Sequence, residues 1–304
     1  MSLLVTGSIG IDTVKTPCGV RENCLGGSSI YFSMAASFFS PVRFVGVVGN
    51  DCPFDLAEVF AGRDVDLAGL EVRADSKTFR WTGKYHENMD DRTTEALELN
   101  VLAEAPPAVP DAFKDSEFVF LANTAPALQQ GLLAQVDSPI FVAADTMNCW
   151  IEHNLDDLKA LLEKVDCLII NEDEARMLAC DQNLIRAGRK ILDMGPGIAV
   201  IKKGESGSFV CSADGDLFVL PAYPADEVID PTGAGDSFAG GFLGYLASQE
   251  DSGKPDFETL KTAVAYGTVV ASFTIAGFSL EALSSISRAD IDARLEMLRG
   301  VTRF

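Results

Sequence analysis

Leu155-Asp-Asp-Leu-Lys-Ala-Leu-Leu-Glu-Lys-Val165, followed through Asp166 by Cys167-Leu-Ile-Ile-Asn171, decides the architecture of this chain. In the first segment apolar residues recur every three or four positions, at 155, 158, 161, 162 and 165, with charges between them. That is the stripe of an amphipathic helix. The second segment is apolar until its last residue, which is how a strand reads when both faces of its sheet are covered. The same alternation extends outward. Strand-like runs lie at 3–9, 42–48, 118–122, 140–144, 198–202 and 208–212, and helix-like segments at 28–39, 127–136 and 183–194. After Asp230 the chain turns helical, at 234–248, 258–274 and 288–298. The pattern predicts an α/β chain, a doubly wound, mostly parallel sheet with helices on both faces, forming one domain over 1–304.

Two stretches break this rhythm. Thr78-Phe-Arg-Trp-Thr-Gly-Lys-Tyr85 alternates at period two, 93–100 is also strand-like, and the polar segment 12–23 carries Pro17 and Gly19. They read either as long surface loops or as a small β lid formed by about 12–24 and 70–102. In the lid reading Phe79, Trp81 and Tyr85 share a face. That face stacks on a base or sugar, or is buried against the body or in a lid-to-lid homodimer.

Composition narrows the function. The 304 residues include 45 Asp plus Glu against 24 Lys plus Arg, a formal charge of −21, and 47% are apolar. A chain so acidic is repelled by nucleic acid and by anionic membranes, so neither is an expected partner. A small anion remains compatible if the site concentrates positive potential. The seven cysteines are scattered without a CxxC pair, which argues against a disulfide framework or a zinc site. No signal peptide and no membrane span is expected, and the location expected is cytoplasmic. Walker and GxGxxG motifs do not occur, and the two histidines stand near no GxSxG serine.

The stretch that carries chemistry is Asp230-Pro-Thr-Gly-Ala-Gly-Asp-Ser-Phe-Ala-Gly-Gly241. Gly233 and Gly235 allow a tight turn that exposes backbone N–H groups where a helix begins. Such an end binds anions without a basic side chain. Asp236, in the first turn, is placed to accept a proton beside that anion hole, an arrangement suited to phosphoryl transfer. On residues alone, the stretch reads equally as a glycine turn with Asp236 as a helix cap.

In full, the stretch 230–241 resembles the C-terminal signature of the ribokinase-like (PfkB-type) carbohydrate and nucleoside kinases. Leu25-Gly-Gly27 and Val45-Gly-Val-Val-Gly-Asn-Asp51 resemble that family's N-terminal signature, and Asn171-Glu-Asp-Glu174 its Asn-x-x-Glu motif. The matches follow family order from Gly7 to about Gly277. The resemblance implies ATP and Mg²⁺, with γ-phosphoryl transfer to a hydroxymethyl group of a sugar or nucleoside. It implies Asp236 as catalytic base and the amides of Gly233, Ala234 and Gly235 as anion hole. Asn171 and Glu174 then position Mg²⁺ through water, and Asp230 and Thr232 bind a monovalent cation such as K⁺. Lys202, Gly204 and Gly207 lie along the nucleotide, and Gly267 leaves room for adenine. Asp12, Gly26 and Gly27 hold the acceptor. Asn123 and Asp145 stand at C-terminal strand ends, where open α/β sheets bind ligands.

One departure bears on the substrate. Many sugar kinases of the family carry Gly-Gly-Lys/Ala-x-x-Asn, whereas here Ser28 and Tyr31 hold the Lys and Asn positions. Tyr31, as an acceptor contact, and the aromatic lid favour a nucleoside over a sugar. A third reading, of another class, is a catalytically silent sugar- or nucleotide-binding sensor on the kinase fold.

Overall fold

A computed structural model describes residues 1–249 and 253–303. The strands are β1 (Leu3–Thr6), β2 (Gly10–Thr16), β3 (Gly19–Gly26), β4 (Val42–Gly49), β5 (Val65–Arg73), β6 (Phe79–Tyr85), β7 (Arg92–Glu98), β8 (Phe118–Leu121), β9 (Phe141–Ala144), β10 (Cys167–Asn171), β11 (Ile198–Lys202), β12 (Ser208–Ser212) and β13 (Leu217–Leu220). The helices are α1 (Ser28–Ala36), α2 (Leu56–Val59), α3 (Pro126–Leu133), α4 (Asn148–His153), α5 (Leu155–Leu162), α6 (Glu172–Ala179), α7 (Leu184–Leu192), α8 (Ala234–Ala247), α9 (Phe257–Thr274), α10 (Glu281–Ser284) and α11 (Arg288–Thr302).

Nine strands form one sheet in the order β13-β12-β11-β10-β9-β8-β1-β4-β5. Pairing is parallel from β5 through β11, and β12 enters antiparallel. Because side chains alternate across a strand, each central strand feeds two cores. Leu3, Val5, Phe118, Phe120 and Ile169 pack with residues of α1, α8, α9 and α11. Leu4, Val119, Leu121, Leu168 and Ile170 pack with those of α3, α5, α6 and α7. The sheet is doubly wound, as its uninterrupted apolar strands require.

β1 is flanked by β4 on one side and β8 on the other. The chain reverses its direction of travel across the sheet there, so the connections leaving β1 and β8 diverge and open a crevice at their C-terminal ends. Over that crevice lies a second sheet, ordered β3-β2-β6-β7, in which β2 and β6 are parallel and the two outer pairs antiparallel.

The lid boundary expected from sequence is corrected. Residues 70–73 belong to β5, which pairs with β4 at the edge of the main sheet, so the second lid segment supplies its strands at 79–85 and 92–98. An edge strand is covered less completely than a central one, which explains why β5 keeps Asp66 and Glu71 among its apolar residues and reads as non-strand. The expected strand at 3–9 also divides. β1 stops at Thr6, and Gly10 already pairs with Gly26 and Phe79 in the lid. No described helix is long and apolar enough to cross a membrane.

Candidate active site

The crevice is organised first by backbone. Gly27 precedes α1 with φ of 106°, and a Cβ there would lie 2.3 Å from the Ser8 carbonyl oxygen, so only glycine lets α1 approach β1 this closely. Ser28, at the position where many relatives carry lysine, is used structurally. Its Oγ accepts from the Ser8 N–H (3.1 Å) while its own N–H donates to Ser8 Oγ (2.9 Å). At Gly26 a Cβ would fall 1.8 Å from Asp12 Oδ2, so the Gly26–Gly27 segment is the wall against which the Asp12 carboxylate rests.

Asp12 is 4% exposed and its Oδ1 has no hydrogen-bond partner. Burial, reinforced by Asp230 and Asp236, pushes its carboxyl up to about 7. A buried oxygen without a partner at a crevice costs free energy unless a ligand donates to it.

Facing it is the loop that opens α8. Gly233 is left-handed (φ 76°), and a Cβ would sit 2.4 Å from the Tyr31 ring. Tyr31 is thus a buried platform, 1% exposed, beneath the loop. Asp230 accepts from the Thr232 N–H through Oδ1 (2.9 Å), leaving Oδ2 buried without a partner. The loop amides at 233–235 head a 14-residue helix, and Asp236 lies in its first turn. Lys202, at the end of β11, brings its Nζ to 2.7 Å from where a Gly235 Cβ would be. Burial raises the Asp236 carboxyl above the ordinary range, and Lys202 and Arg92 oppose that rise. An ammonium group beside the amide cluster supplies the local positive potential that an acidic protein needs.

Asn171 and Glu174 form a reciprocal cap on α6. Asn171 Oδ1 accepts from the Glu174 N–H, and Glu174 Oε2 accepts from the Asn171 N–H, both at 2.9 Å. The cap fixes the Glu174 carboxylate while sparing its other oxygen. Asp145, just beyond β9, is buried with Oδ1 unpartnered, and burial followed by the nearness of Asp236 raises its carboxyl. Mg²⁺ is commonly held by one or two carboxylates with waters and substrate phosphates, so Glu174 and the unpartnered Asp145 Oδ1 fit that ion, while among the described residues no three His, Cys, Asp or Glu side chains gather as a ready cage. Asn123 is held from the side, with Trp150 Nε1 donating to its Oδ1 (2.9 Å) and its Nδ2 facing Met147 Sδ at 3.5 Å.

The lid touches the body at both ends of this line. The Tyr85 and Thr232 hydroxyl oxygens are 3.3 Å apart, and Tyr85 packs with Val14 and Phe278. Toward the hairpin tip, Asp90 Oδ1 lies 2.7 Å from where a Gly204 Cβ would be. The aromatic face expected from sequence therefore divides its labour: Tyr85 is buried against the body, while Phe79 and Trp81 keep accessible surface.

Two expectations change. Gly267 serves first the packing of α9 on α8, because a Cβ would lie 2.7 Å from the Phe238 carbonyl oxygen. Gly207, with φ of 83°, serves the turn into β12 close to the Leu220 carbonyl. Lys202 was among the residues expected along the nucleotide, whereas Arg92, the other cation acting on Asp236, was missed altogether. The signal for Lys202 was its place at a strand end before the Gly204 turn, where the resemblance puts the nucleotide.

The chain matches the pfkB family of carbohydrate kinases over residues 28–284. It is 29% identical over 255 residues to a cytidine kinase of Thermococcus kodakarensis, covering 81% of this chain and 88% of that one. Its fold resembles a Burkholderia thailandensis nucleoside kinase solved with inosine (TM-score 0.74, 21% identity, 98% of this chain and 99% of the other). It also resembles a candidate Ribokinase II of E. coli solved with ATP and Mg²⁺ (TM-score 0.79, 18% identity, 97% and 99%). The protein belongs to the pfkB carbohydrate-kinase family, phosphotransferases that act on an alcohol of a sugar or nucleoside.

Proposed function

We propose that this kinase phosphorylates the hydroxymethyl group of a nucleoside, using ATP. The observation that carries the phosphotransferase chemistry is Asp236 in the first turn of α8, beside the 233–235 amides and Lys202 and across the crevice from the unpartnered carboxylate of Asp12. Two things favour a nucleoside over a free sugar: the accessible lid aromatics Phe79 and Trp81, and the cytidine kinase among its relatives.

In this reading Asp12 and the Gly26–Gly27 wall hold the acceptor's hydroxyls, with Asn123 and its Trp150 partner at the edge. The 233–235 amides and Lys202 receive the transferring phosphoryl oxygens. Gly204 shapes the turn along the nucleotide. The acceptor oxygen bonds to the γ-phosphorus as the bond to the β-bridging oxygen breaks, and ADP leaves with that electron pair. Asp236 takes the acceptor's proton late in this step, since a carboxylate is a weak base toward an unactivated alcohol. Asn171, Glu174 and Asp145 would hold Mg²⁺, which when bound supplies charge neutralisation on the phosphate oxygens. Asp230 and Thr232 would hold a monovalent cation that stiffens the loop, and the unpartnered Asp230 Oδ2 supports that role. A closed lid excludes water, the competing acceptor. The free state of all seven cysteines is in keeping with a reducing cytoplasm.

ADP release across nucleosides, pentoses and hexoses tests this. Turnover is expected with one or more nucleosides, falling about 10²–10⁴-fold in Asp236→Asn. Turnover confined to sugars would move the substrate class, full activity in Asp236→Asn would remove the proposed base, and binding without turnover would make the protein a sensor.

A further inference from the structure

Gln129 lies in the middle of α3 and is only 1% exposed. Its Nε2 donates to three backbone carbonyls, those of Leu121 (2.8 Å), Ala122 (3.2 Å) and Asp145 (3.1 Å). Three acceptors around one nitrogen fix which end of the amide faces them, because the amide oxygen would be repelled. The last registered pair of β8 and β9 is Leu121 with Ala144. Past it the Asp145 N–H still donates to the Leu121 carbonyl. The tie that continues from there, between the two strand ends, is the Gln129 amide.

The strand ends so joined carry different halves of the site. Asn123 follows Ala122 directly, and its side chain is held by Trp150, whose Nε1 donates to Oδ1 at 2.9 Å. Asp145 is the residue whose carbonyl Gln129 holds, and its own Oδ1 is buried without a partner. In the kinase reading Asn123 stands at the acceptor and Asp145 at Mg²⁺. A single side chain in contact with neither ligand thus fixes the backbone beneath both. Keeping an amide here has a cost, since Gln129 Oε1 is buried with no partner among the described residues. The neighbouring turn of α3 buries Leu132 in the apolar layer of Val119, Leu121 and Ala144. A methionine at 129, close to glutamine in size, would avoid that unpartnered oxygen. It could not hold three carbonyls.

We propose that Gln129 is a positioning residue: it sets the separation of the β8 and β9 ends, and with it the placement of Asn123 for the acceptor and of Asp145 for the metal. This rests on the kinase reading. The amide forms and breaks no covalent bond and moves no proton. It acts through geometry, because a shift of about 1 Å in groups that hold reactants can slow a reaction about 10²-fold. The strand ends are backbone, so moving them moves both side chains at once. Loss of the bridge therefore has a joint signature, in which acceptor affinity and the Mg²⁺ requirement change together.

The test uses the full chain. Gln129→Met keeps the volume and removes the donor, whereas Gln129→Asn keeps a donor but withdraws it by one methylene. Melting temperature confirms that each folds, and the second variant carries the test if the first does not. In either, the acceptor's KM and the Mg²⁺ concentration for half-maximal activity are each expected to rise about tenfold, with kcat falling by up to about 10²-fold. Asn123→Ala, the control, should raise the acceptor's KM and leave the Mg²⁺ requirement within about twofold of wild type. Trp150 gives a readout without turnover, followed in a Trp81→Phe background because the chain has only these two tryptophans. In ligand-free protein its emission should shift in the Gln129 variants, as Asn123 moves from the indole N–H. A lowered melting temperature with KM, Mg²⁺ requirement and Trp150 emission all unchanged would make the bridge purely structural and overturn the proposal. So would a rise in only one of the two constants, since the two strand ends would then not be set together. If the wild type turns over no acceptor, the kinase reading fails, and Trp150 emission still decides whether Gln129 places Asn123.

Discussion

Asp12 and Asp236 are both buried carboxylates at one crevice, yet their surroundings give them different work. Asp236 has Lys202 and Arg92 opposing the rise caused by burial, which suits the proposed role of base. Asp12 has no such cation. Burial and the charges of Asp230 and Asp236 lift it to about 7, so near neutrality about half the free protein carries a proton there. Substrate hydroxyls donate to the ionised form and favour it, so acceptor binding should expel that proton. Calorimetric binding at pH 7 in buffers of differing ionisation enthalpy is expected to show release of up to about half a proton, disappearing about two pH units higher. Identical enthalpies in all buffers would refute this. The linkage sign for stability follows from the same shift. Between the ordinary carboxylate range and about 7 the folded chain binds more protons than the unfolded one, so this group's contribution weakens as pH rises through that window. Asp12→Asn should therefore raise Tm at pH 8 while weakening acceptor binding by about tenfold or more.

At the scale of elements, the α6 cap separates structure from chemistry. Asn171 and Glu174 each fill one orphan N–H at the helix start. A glutamine at 174 keeps a carbonyl oxygen for the Asn171 N–H but loses the charge, whereas alanine loses both. Glu174→Gln is expected to hold Tm near wild type and raise the Mg²⁺ concentration needed for half-maximal activity several-fold. Glu174→Ala should in addition cost about 1 kcal/mol of stability. Equal Tm losses in the two variants would mean that the cap does not act as drawn. The same scale explains what the sequence made legible. Cys167–Asn171 and its flanking helices were readable because full burial on both faces forces uninterrupted apolar strands between amphipathic helices. The stretch 230–241 was readable because a left-handed residue stacked on Tyr31 admits only glycine. β5 escaped because an edge strand tolerates polar residues. Arg92 escaped because Arg92-Thr-Thr-Glu-Ala-Leu-Glu98 is exposed throughout and reads as a solvated strand. Only its register against Tyr85, a tertiary fact, turns it toward the crevice.

The molecule as a whole carries a charge of −21, and nucleotide and protein repel at long range. In the proposed site the attraction is concentrated at the 233–235 amides and at Lys202, whose Nζ lies 2.7 Å from where a Gly235 Cβ would be. Salt screens exposed charges separated by more than about 10 Å at 0.1 M ionic strength, and reaches cleft contacts far less. Added salt should therefore remove more repulsion than attraction. The association rate of MgATP is expected to rise about two- to fivefold between roughly 0.02 and 0.2 M tetramethylammonium chloride, an ion too large for a potassium site. A neutral nucleoside should associate at the same rate throughout. Stopped-flow binding of a fluorescent ATP analogue, with the nucleoside followed by intrinsic tryptophan emission, measures both. If MgATP association slowed with salt, the surface near the crevice would have to be locally positive over tens of ångströms, and the acidic field would play no part in nucleotide capture. A salt response equal for nucleotide and nucleoside would place the effect on movement of the β3-β2-β6-β7 sheet instead, because in the proposed reading that sheet covers both ligands and the charge of only one is screened.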